Sequence, residues 1–335
     1  MKKHYIIATG IMFFLFISAL ASGLPAEDAA KGFIWVLDDR GSGNIDVVKV
    51  AIDEKRELFR KKGFKESQDL DVYSKDGSIW VIDTGNNQVV NLSSDGQTEL
   101  ARLSGFASPF HGALCQKEGF YWVADQDHYE VVKISTEDKK EKIRIGGFTN
   151  PHGIKVSPFD NTVWVSDAAG GKIIKLSQDG KILGQLSDVG RPWHLAIDSS
   201  DGSSWVSLQA GGEEAQESGL IKVSADCKTI LAKNNDIGSL SDFAVNPVDG
   251  SCWVITKKDG LLINIAKDAK TVLIKINKFH GAKSISKINP LDGSFWVGIR
   301  ASAENEGRVV KLSASGEELA SIGGFNNPIL LKIKE

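Results

Sequence analysis

The pair Trp-Val occurs seven times along the chain at nearly equal intervals, and this repeat limits the possible folds more than any other feature. The intervals between successive tryptophans run from 41 to 48 residues. A period of about 40 to 50 residues is typical of propeller blades, in which each repeat forms one small four-stranded sheet. The tryptophans are Trp35, Trp80, Trp122, Trp164, Trp205, Trp253 and Trp296.

Each repeat has the same order of short segments. A first apolar segment leads through a turn to the Trp-Val segment, and a Gly-rich loop leads to a third segment of the type apolar-apolar-x-apolar. The third segments begin at Val47, Val89, Val131, Ile173, Leu220, Leu262 and Val309. Short runs rich in Val and Ile between Gly, Asp and Asn are typical of strands joined by tight turns. We predict an all-β, seven-bladed β-propeller whose tryptophans pack between the blades.

The two ends of the chain predict how the ring closes. Trp35 lies too near the start of the repeat region for its unit to have a first strand of its own, whereas the last residues, GFNNPILLKIKE, copy the start of a unit and then stop. We therefore predict that the strand from Ile329 to Ile333 completes the blade begun by Phe33 to Leu37, which gives seven blades.

The N-terminal residues have the pattern of a secretory signal. Lys2 and Lys3 precede an uncharged apolar run from Tyr5 to Leu20, and Ala19-Leu20-Ala21 fits a signal-peptidase site. We predict a signal peptide at 1–21, a short linker at 22–30, a single propeller domain at 31–335, and export to the periplasm or the extracellular space. An uncleaved anchor is the alternative, although the run is shorter than the roughly 20 residues of a spanning helix. We expect no transmembrane segment after the signal.

Charge and cysteine content restrict the partners and the cross-links. The net charge is −3, and basic clusters such as Lys139, Lys140 and Lys142 are short, so we expect no nucleic-acid partner. We expect a monomer. Three cysteines are too few for a disulfide-built scaffold, but an exported chain meets an oxidising compartment. We predict a disulfide between Cys227 and Cys252, which fall in turns of adjacent blades, and a buried Cys115.

The repeat resembles a known superfamily. P-x-G-apolar, a D-G turn, WV-x-D and VVKL are similar to NHL-repeat propellers and their seven-bladed relatives, the streptogramin-lyase-like proteins, over about residues 31 to 335. The resemblance implies the fold but no single activity, because the superfamily includes binding scaffolds, lyases and hydrolases. Locally, PFHGA, NPHGIKV and RPWHLAI resemble first strands of the peptidyl-amidoglycolate lyases. That resemblance implies that His111, His152 and His194 bind a divalent transition metal such as zinc.

The same histidines have nearly the same position in their repeats. His111 and His194 lie 11 residues before the next tryptophan and His152 lies 12 before it, while Asp69 and Asp242 also lie 11 before theirs. Since first strands line the channel of a propeller, these side chains should converge at one mouth. Either the SPFDNT turn holds the extra residue in the repeat of His152, or the His152 ring points away from the other two. We expect the turn to hold it, because both Pro109 and Pro151 precede a His-Gly pair. The alternative is that these are inherited polar residues that bond only to water and backbone.

Loops on the same face supply further candidates. Two long loops between second and third strands are acidic, and we predict ligand binding by Glu213 and Glu304 together with Asp69 and Asp242. Arg191 and Tyr129 lie beside the histidines and are candidate catalytic residues. The alternative is that the acidic loops are solvated insertions.

Three functions compete on these residues. The first is a non-catalytic exported propeller that binds a protein, peptide or glycan. The second is a metal-dependent lyase or hydrolase, in which the ion polarises a substrate oxygen or activates water. The third is sugar-lactone hydrolysis of the calcium-propeller type, for which the channel carboxylates give little support. The sequence contains no C-x-x-C, G-x-S-x-G, P-loop or H-E-x-x-H motif, so thiol redox, serine hydrolase, nucleotide and zincin chemistry have no basis.

Overall fold

A computed structural model describes residues 32–210 and 218–334, and in this part of the chain the fold is a ring of seven antiparallel four-stranded sheets. The described residues contain one 3-10 turn, Thr84–Asn86, and no α-helix. None of these residues forms an apolar helix long enough to cross a membrane. The predicted signal peptide, the linker and Glu213 lie outside the described residues.

The strands are numbered in chain order, and each blade runs from the channel outward. Blade 1 contains β28 (Pro328–Lys334), β1 (Phe33–Asp39), β2 (Asn44–Ala51) and β3 (Arg56–Lys65). Blades 2 to 4 contain β4 (Asp69–Val72), β5 (Ile79–Asp83), β6 (Gln88–Leu92) and β7 (Glu99–Leu103); β8 (Pro109–Cys115), β9 (Phe120–Asp125), β10 (Glu130–Ser135) and β11 (Glu141–Ile145); and β12 (Pro151–Val156), β13 (Val163–Asp167), β14 (Lys172–Leu176) and β15 (Ile182–Leu186).

Blades 5 to 7 follow the same plan. They contain β16 (Pro192–Ile197), β17 (Ser204–Leu208), β18 (Gly219–Val223) and β19 (Ile230–Asn234); β20 (Leu240–Val245), β21 (Cys252–Thr256), β22 (Leu262–Ile265) and β23 (Val272–Ile276); and β24 (Ala282–Ile285), β25 (Phe295–Ile299), β26 (Gly307–Leu312) and β27 (Glu318–Phe325). The first strands of all blades begin at one end of the ring. We call this end the histidine face, because His111, His152 and His194 lie there.

The repeated tryptophans fill the layers between blades, as predicted. Every one of the seven is at most 1% exposed. Trp122 of blade 3, for example, packs with Val163 and Val165 of blade 4. A single four-stranded sheet leaves both faces open to water, and a buried aromatic side chain of this size removes about 150–250 Å² of surface. Repeated tryptophans therefore stabilise the contact between each blade and the next.

Lysines of the third strands add a second link between blades. In β10, β14 and β18 the residue opposite the tryptophan is a nearly buried lysine whose Nζ donates to a turn carbonyl of the following blade. Lys133 donates to the Gln178 oxygen (2.7 Å) and Lys175 to the Ala225 oxygen (2.6 Å). The lysines also lie over the tryptophan rings, at 5.4 Å from the centroid for Lys133 and Trp122. This favourable placement of a cation on an aromatic face helps to offset the cost of burying the amine.

The ring closes as the sequence predicts. β28 pairs antiparallel with β1, from Phe33 opposite Lys334 to Leu37 opposite Leu330. The first and last strands of the described chain therefore lie side by side in one blade, which removes the unpaired edge that an open ring would present.

The predicted disulfide is wrong, because all three cysteines are free and buried. Cys227 packs into the layer between blades 4 and 5, where its Sγ lies 3.4 Å from the Ile173 oxygen. Cys252 packs against Trp205 in the layer between blades 5 and 6. The sheet of blade 5 separates the two thiols, although the residues belong to adjacent blades. Cys115 is buried, as expected.

Candidate functional site

The strand pairing fixes which residues share a register at the mouth of the channel. In β8, Pro109 lies opposite Asp125 and Gly112 opposite Val123, so two residues of β8 face one residue of β9. This is a β-bulge, and it re-aims the side chains within it. The same bulge occurs in β12 between Pro151 and Ile154, and in β16 between Pro192 and Leu195.

The bulge places His152 out of line with the other two histidines. Because Pro109, Pro151 and Pro192 occupy equivalent positions, His152 corresponds to Phe110 and Trp193, and the residue that corresponds to His111 and His194 is Gly153. The turn of blade 4 contains no extra residue, since Lys155 pairs with Trp164 as Ala113 pairs with Trp122. The expectation that the SPFDNT turn compensates for the offset is therefore wrong.

His152 belongs to a row of three aromatic rings in adjacent first strands. Its ring centroid lies 4.4 Å from that of Phe110 and 3.5 Å from that of Trp193, and the side chain is fully buried. Neither ring nitrogen makes a hydrogen bond with a described residue, and the nearby Trp193 carbonyl accepts from Ser166 Oγ (2.6 Å) instead. Burial, and then the neighbouring His111, lower the pKa of His152 well below its usual value. The ring therefore acts as a neutral packing group.

His111 and His194 approach each other across Gly153. Their ring centroids are 5.2 Å apart although blade 4 lies between their strands. A Cβ atom on Gly153 would lie 2.4 Å from the Trp193 oxygen and 3.5 Å from the His194 Cα. A side chain at residue 153 would therefore close the space through which the two imidazoles meet.

Both imidazoles are held in the neutral form. Burial is the main cause that lowers the pKa of His111 well below its usual value and the pKa of His194 to about 4. His111 Nδ1 lies 3.2 Å from the His152 carbonyl oxygen. Since a carbonyl can only accept, this nitrogen carries the proton, and Nε2 keeps its lone pair. The pair is thus able to accept a hydrogen bond or to bind a metal ion.

Carboxylates and lysines of neighbouring blades meet in the channel beside the histidines. Lys332 of the closing strand lies 2.9 Å from Asp71 and 3.5 Å from Asp69. Lys155 of blade 4 lies 3.8 Å from Asp69. Buried charges are retained when they are paired, and here the cations compensate the acids of blade 2. Ring closure therefore also completes the charge balance of the channel.

Asp242 takes the corresponding position in blade 6. Its carboxylate accepts from the backbone N–H of Phe243 (2.8 Å) and of Ile285 in blade 7 (2.9 Å). Burial raises the pKa of Asp242 to about 6. This carboxyl group therefore links two blades and changes its protonation state close to neutral pH.

The remaining predicted site residues that the structure describes lie at the same end but apart from the channel. Tyr129 is 55% exposed, Arg191 stacks on Trp193 with 4.9 Å between guanidinium and ring centroid, and Glu304 is exposed in the loop after β25. The structure thus brings together Asp69, His111, His194 and Asp242 in the channel mouth, with Arg191 and Tyr129 on the surrounding rim.

A second group of metal-ligand type was not predicted from the sequence. Ligand atoms of Asp125, His128 and Glu130 all lie within 4.8 Å of one another. The ligand atoms of His111, His152 and His194 do not come this close together. The guanidinium of Arg144, however, already lies between the two carboxylates, with Nη1 2.9 Å from Asp125 and 2.8 Å from Glu130. In blade 1, Arg60 bridges two aspartates in the same way. This group is therefore an ion-pair network.

The network has a sequence signal that could have revealed it. Arg60, Arg102 and Arg144 recur at intervals of 42 residues in the fourth strands of blades 1 to 3. Each pairs with the aspartate at the end of its own second strand: Asp38, Asp83 and Asp125 respectively. The WV-x-D motif is thus explained by structural ion pairs in these blades.

No known family model matches the sequence, and no curated protein matches it. Several solved structures share the fold. A proposed 6-phosphogluconolactonase from Bacteroides fragilis has a TM-score of 0.71 at 13% identity, with 93% of this chain and all of that chain covered. A protein from Lactobacillus plantarum gives 0.69 at 14% identity, with 91% and 99% covered.

The virginiamycin B lyase of Staphylococcus aureus is also similar, with a TM-score of 0.60 at 13% identity and coverage of 77% of this chain and 84% of that chain. Identities this low establish the fold alone. The chain is therefore a seven-bladed β-propeller, and it shares this fold with the solved structures named above.

Proposed function

We propose that the protein is a binding scaffold that holds a protein, peptide or glycan ligand on the histidine face. The observation that carries the proposal is the alignment of Asp69, His111, His194 and Asp242 at one register around the channel mouth. Desolvating polar groups costs free energy. The ring is already held by tryptophans and lysines between blades, so the polar row serves recognition better than it serves stability.

The test is ligand binding by variants of the rim. Immobilised glycan and peptide arrays are probed with the wild-type protein and with Tyr129→Ser and Arg191→Gln, which remove exposed or half-exposed contacts from the histidine face. We expect the ligands bound by the wild type to lose most of their signal. The matched control is Leu291→Ser, because Leu291 is 92% exposed in a turn on the opposite face. Binding that survives both rim variants, or that disappears in the control, contradicts the proposal.

A second candidate is a metal-dependent lyase or hydrolase, with Arg191 or Tyr129 completing the chemistry. The three imidazole centroids lie 4.9, 5.2 and 5.8 Å from one another, so the rings converge as predicted. Their ligand atoms, however, do not all come within 4.8 Å of one another, and His152 stacks between Phe110 and Trp193. The specific observation in favour is the neutral pair of His111 and His194 with a free Nε2 on His111. If a metal such as zinc binds, these two residues would hold it, and it would polarise a substrate oxygen.

Zinc affinity tests this second candidate without an activity assay. We expect His111→Gln and His194→Gln to weaken zinc binding by about 10- to 100-fold in competition with a chromophoric chelator. His152→Phe is the matched control and should bind as the wild type does, because phenylalanine already occupies the equivalent position in β8. Loss of zinc in the His152 variant would restore the three-histidine site, and equal affinity in all variants would remove the candidate.

The proposal includes export of the protein, on the basis of the signal-like pattern in residues 1–21. Amino-terminal sequencing of the protein recovered outside the cytoplasm should begin close to Ser22. A protein that retains Met1 and stays with the membrane fraction would support the uncleaved anchor instead.

A further inference from the structure

Three cations lie together on the histidine face where blades 6 and 7 meet. Lys257 and Arg300 each follow the second strand of their blade, four residues after the tryptophan, and Lys283 lies in the first strand of blade 7. Ala282, at the start of β24, pairs with Ile299, at the end of β25. Lys283 and Arg300, the next residue of each, therefore both lie at this end of the two strands.

The backbone packing brings the third cation to the same place. A Cβ atom on Gly260, which ends the turn that begins at Lys257, would lie 3.1 Å from the Gly281 nitrogen. A Cβ atom on Gly281 would in turn lie 3.9 Å from the Arg300 Cβ. The turn of blade 6 thus packs against the start of the first strand of blade 7, beside Arg300.

None of these three cations forms an ion pair among the described residues, in contrast to Arg60, Arg102 and Arg144 of blades 1 to 3. Burial lowers the pKa of Lys283, and the positive charges of Arg300 and Lys257 lower it further. Lys257 also lines a cleft of about 710 Å³, which contains Lys258, Lys270 and Lys275 as well as Asp236 and Asp259. Three cations that form no ion pair among the described residues, in a protein of negative net charge, are a candidate site for an anion.

We propose that Lys257, Lys283 and Arg300 bind a doubly charged oxyanion, a phosphate or sulfate group of the ligand. An arginine guanidinium offers a planar fork of donors that matches such a group, and two ammonium groups supply further charge. The inference rests on the proposed function, because it names the chemistry of a ligand for the same face.

The experiment uses inorganic phosphate as the probe, with binding to the full chain measured by isothermal titration calorimetry at constant ionic strength and slightly alkaline pH. We expect Lys283→Gln and Arg300→Gln each to raise the Kd about tenfold, as for the loss of one charged hydrogen-bond donor. Lys117→Gln is the control, because it removes one exposed positive charge from the opposite face. Circular dichroism checks that each variant keeps its fold.

Sulfate and acetate distinguish the charge of the group. Sulfate should compete with phosphate, and acetate should bind at least tenfold more weakly. No binding of phosphate, equal Kd values in the wild type and both site variants, or acetate binding as tight as phosphate binding would each overturn the inference. The binding scaffold would survive that failure if the array ligands still depended on Tyr129 and Arg191, so the two proposals fail separately.

Discussion

Blades 1 to 4 and blades 5 to 7 share the tryptophan layers but differ at the third residue after each tryptophan. In the first group this residue is a fully buried aspartate: Asp38, Asp83, Asp125 and Asp167. Each accepts backbone N–H bonds from the segment that enters the first strand of its own blade, as Asp167 does from Thr149 and Asn150. In the second group the position holds Leu208, Thr256 and Ile299.

The difference shows that two neighbouring repeat positions carry charge in different blades. In blades 1 to 4 the carboxylate fixes the incoming segment and, in blades 1 to 3, is balanced by an arginine. Blades 6 and 7 lack this acid and instead carry Lys257 and Arg300 at the following position. A carboxylate at a buried position needs donors around it, whereas a basic residue at the exposed rim is free to meet a ligand.

The largest expected effect comes from breaking the ring where the two parts join. Deletion of the chain from Pro328 onward removes β28, and with it Lys332 of the channel. The backbone N–H groups of Asn326 and Asn327, which donate to Asp38, then lose their fixed position. We expect an aggregating or largely unfolded protein, because β1 would present an open edge. Thermal unfolding and solubility measure this outcome. An unchanged midpoint would show that closure does not depend on β28.

The aspartate position itself gives the next largest effect. Asp167→Ala should lower the free energy of unfolding by about 1–3 kcal/mol, because it leaves the partly buried backbone N–H groups of Thr149 and Asn150 without their acceptor. Thr256→Ala, at the same position in blade 6, should cost less than about 1 kcal/mol. Urea unfolding of both variants provides the measurement. Equal losses would mean that the two parts of the ring do not differ in this respect.

Acidification should act with opposite sign on His152 of blade 4 and on Asp242 of blade 6. The pKa of His152 is lowered on folding, so the unfolded state takes up the proton first, and stability falls as the pH drops below about 6.5. The pKa of Asp242 is raised to about 6, so the native state takes up the proton first, and stability rises as the pH falls from about 6 towards 4.

Two variants separate these contributions. Between pH 7 and pH 5, His152→Phe should reduce the loss of stability by about 1–2 kcal/mol, and Asp242→Asn should increase it by about 1 kcal/mol. Parallel urea titrations at the two pH values give the comparison with the wild type. The interpretation of His152 as a buried neutral ring fails if its variant shows the same pH dependence as the wild type.

The smallest expected effect is that of an unpaired arginine, measured against that of a paired one. Arg144→Gln should cost about 1–3 kcal/mol, since it leaves the buried Asp125 without its arginine, whereas Arg300→Gln should change stability by less than about 0.5 kcal/mol. A matched pair of thermal melts at low salt tests this. A large loss in the Arg300 variant would indicate that this residue supports the fold.

Much of the fold was predictable because every blade has the same short sequence pattern. The interval between tryptophans gave the number of blades, and the partial unit at the C-terminus gave the closing strand. The candidate site was less predictable, since Pro151-His152-Gly153 and Pro109-Phe110-His111-Gly112 look alike when aligned on their glycines. The structure aligns them on their prolines, and a one-residue offset turns a side chain to another side of the strand.

The sequence by itself determined the elements whose cause is local and periodic: seven four-stranded units, buried tryptophans and a shared first-strand register for Asp69, His111, His194 and Asp242. Tertiary structure alone decided which neighbours those residues meet. It placed His152 between two aromatic rings, opened the gap at Gly153, and separated Cys227 from Cys252 by a whole blade. The physical reason is that bulges and the packing of one sheet on the next depend on atoms some 40 residues apart in the chain, which no local pattern describes.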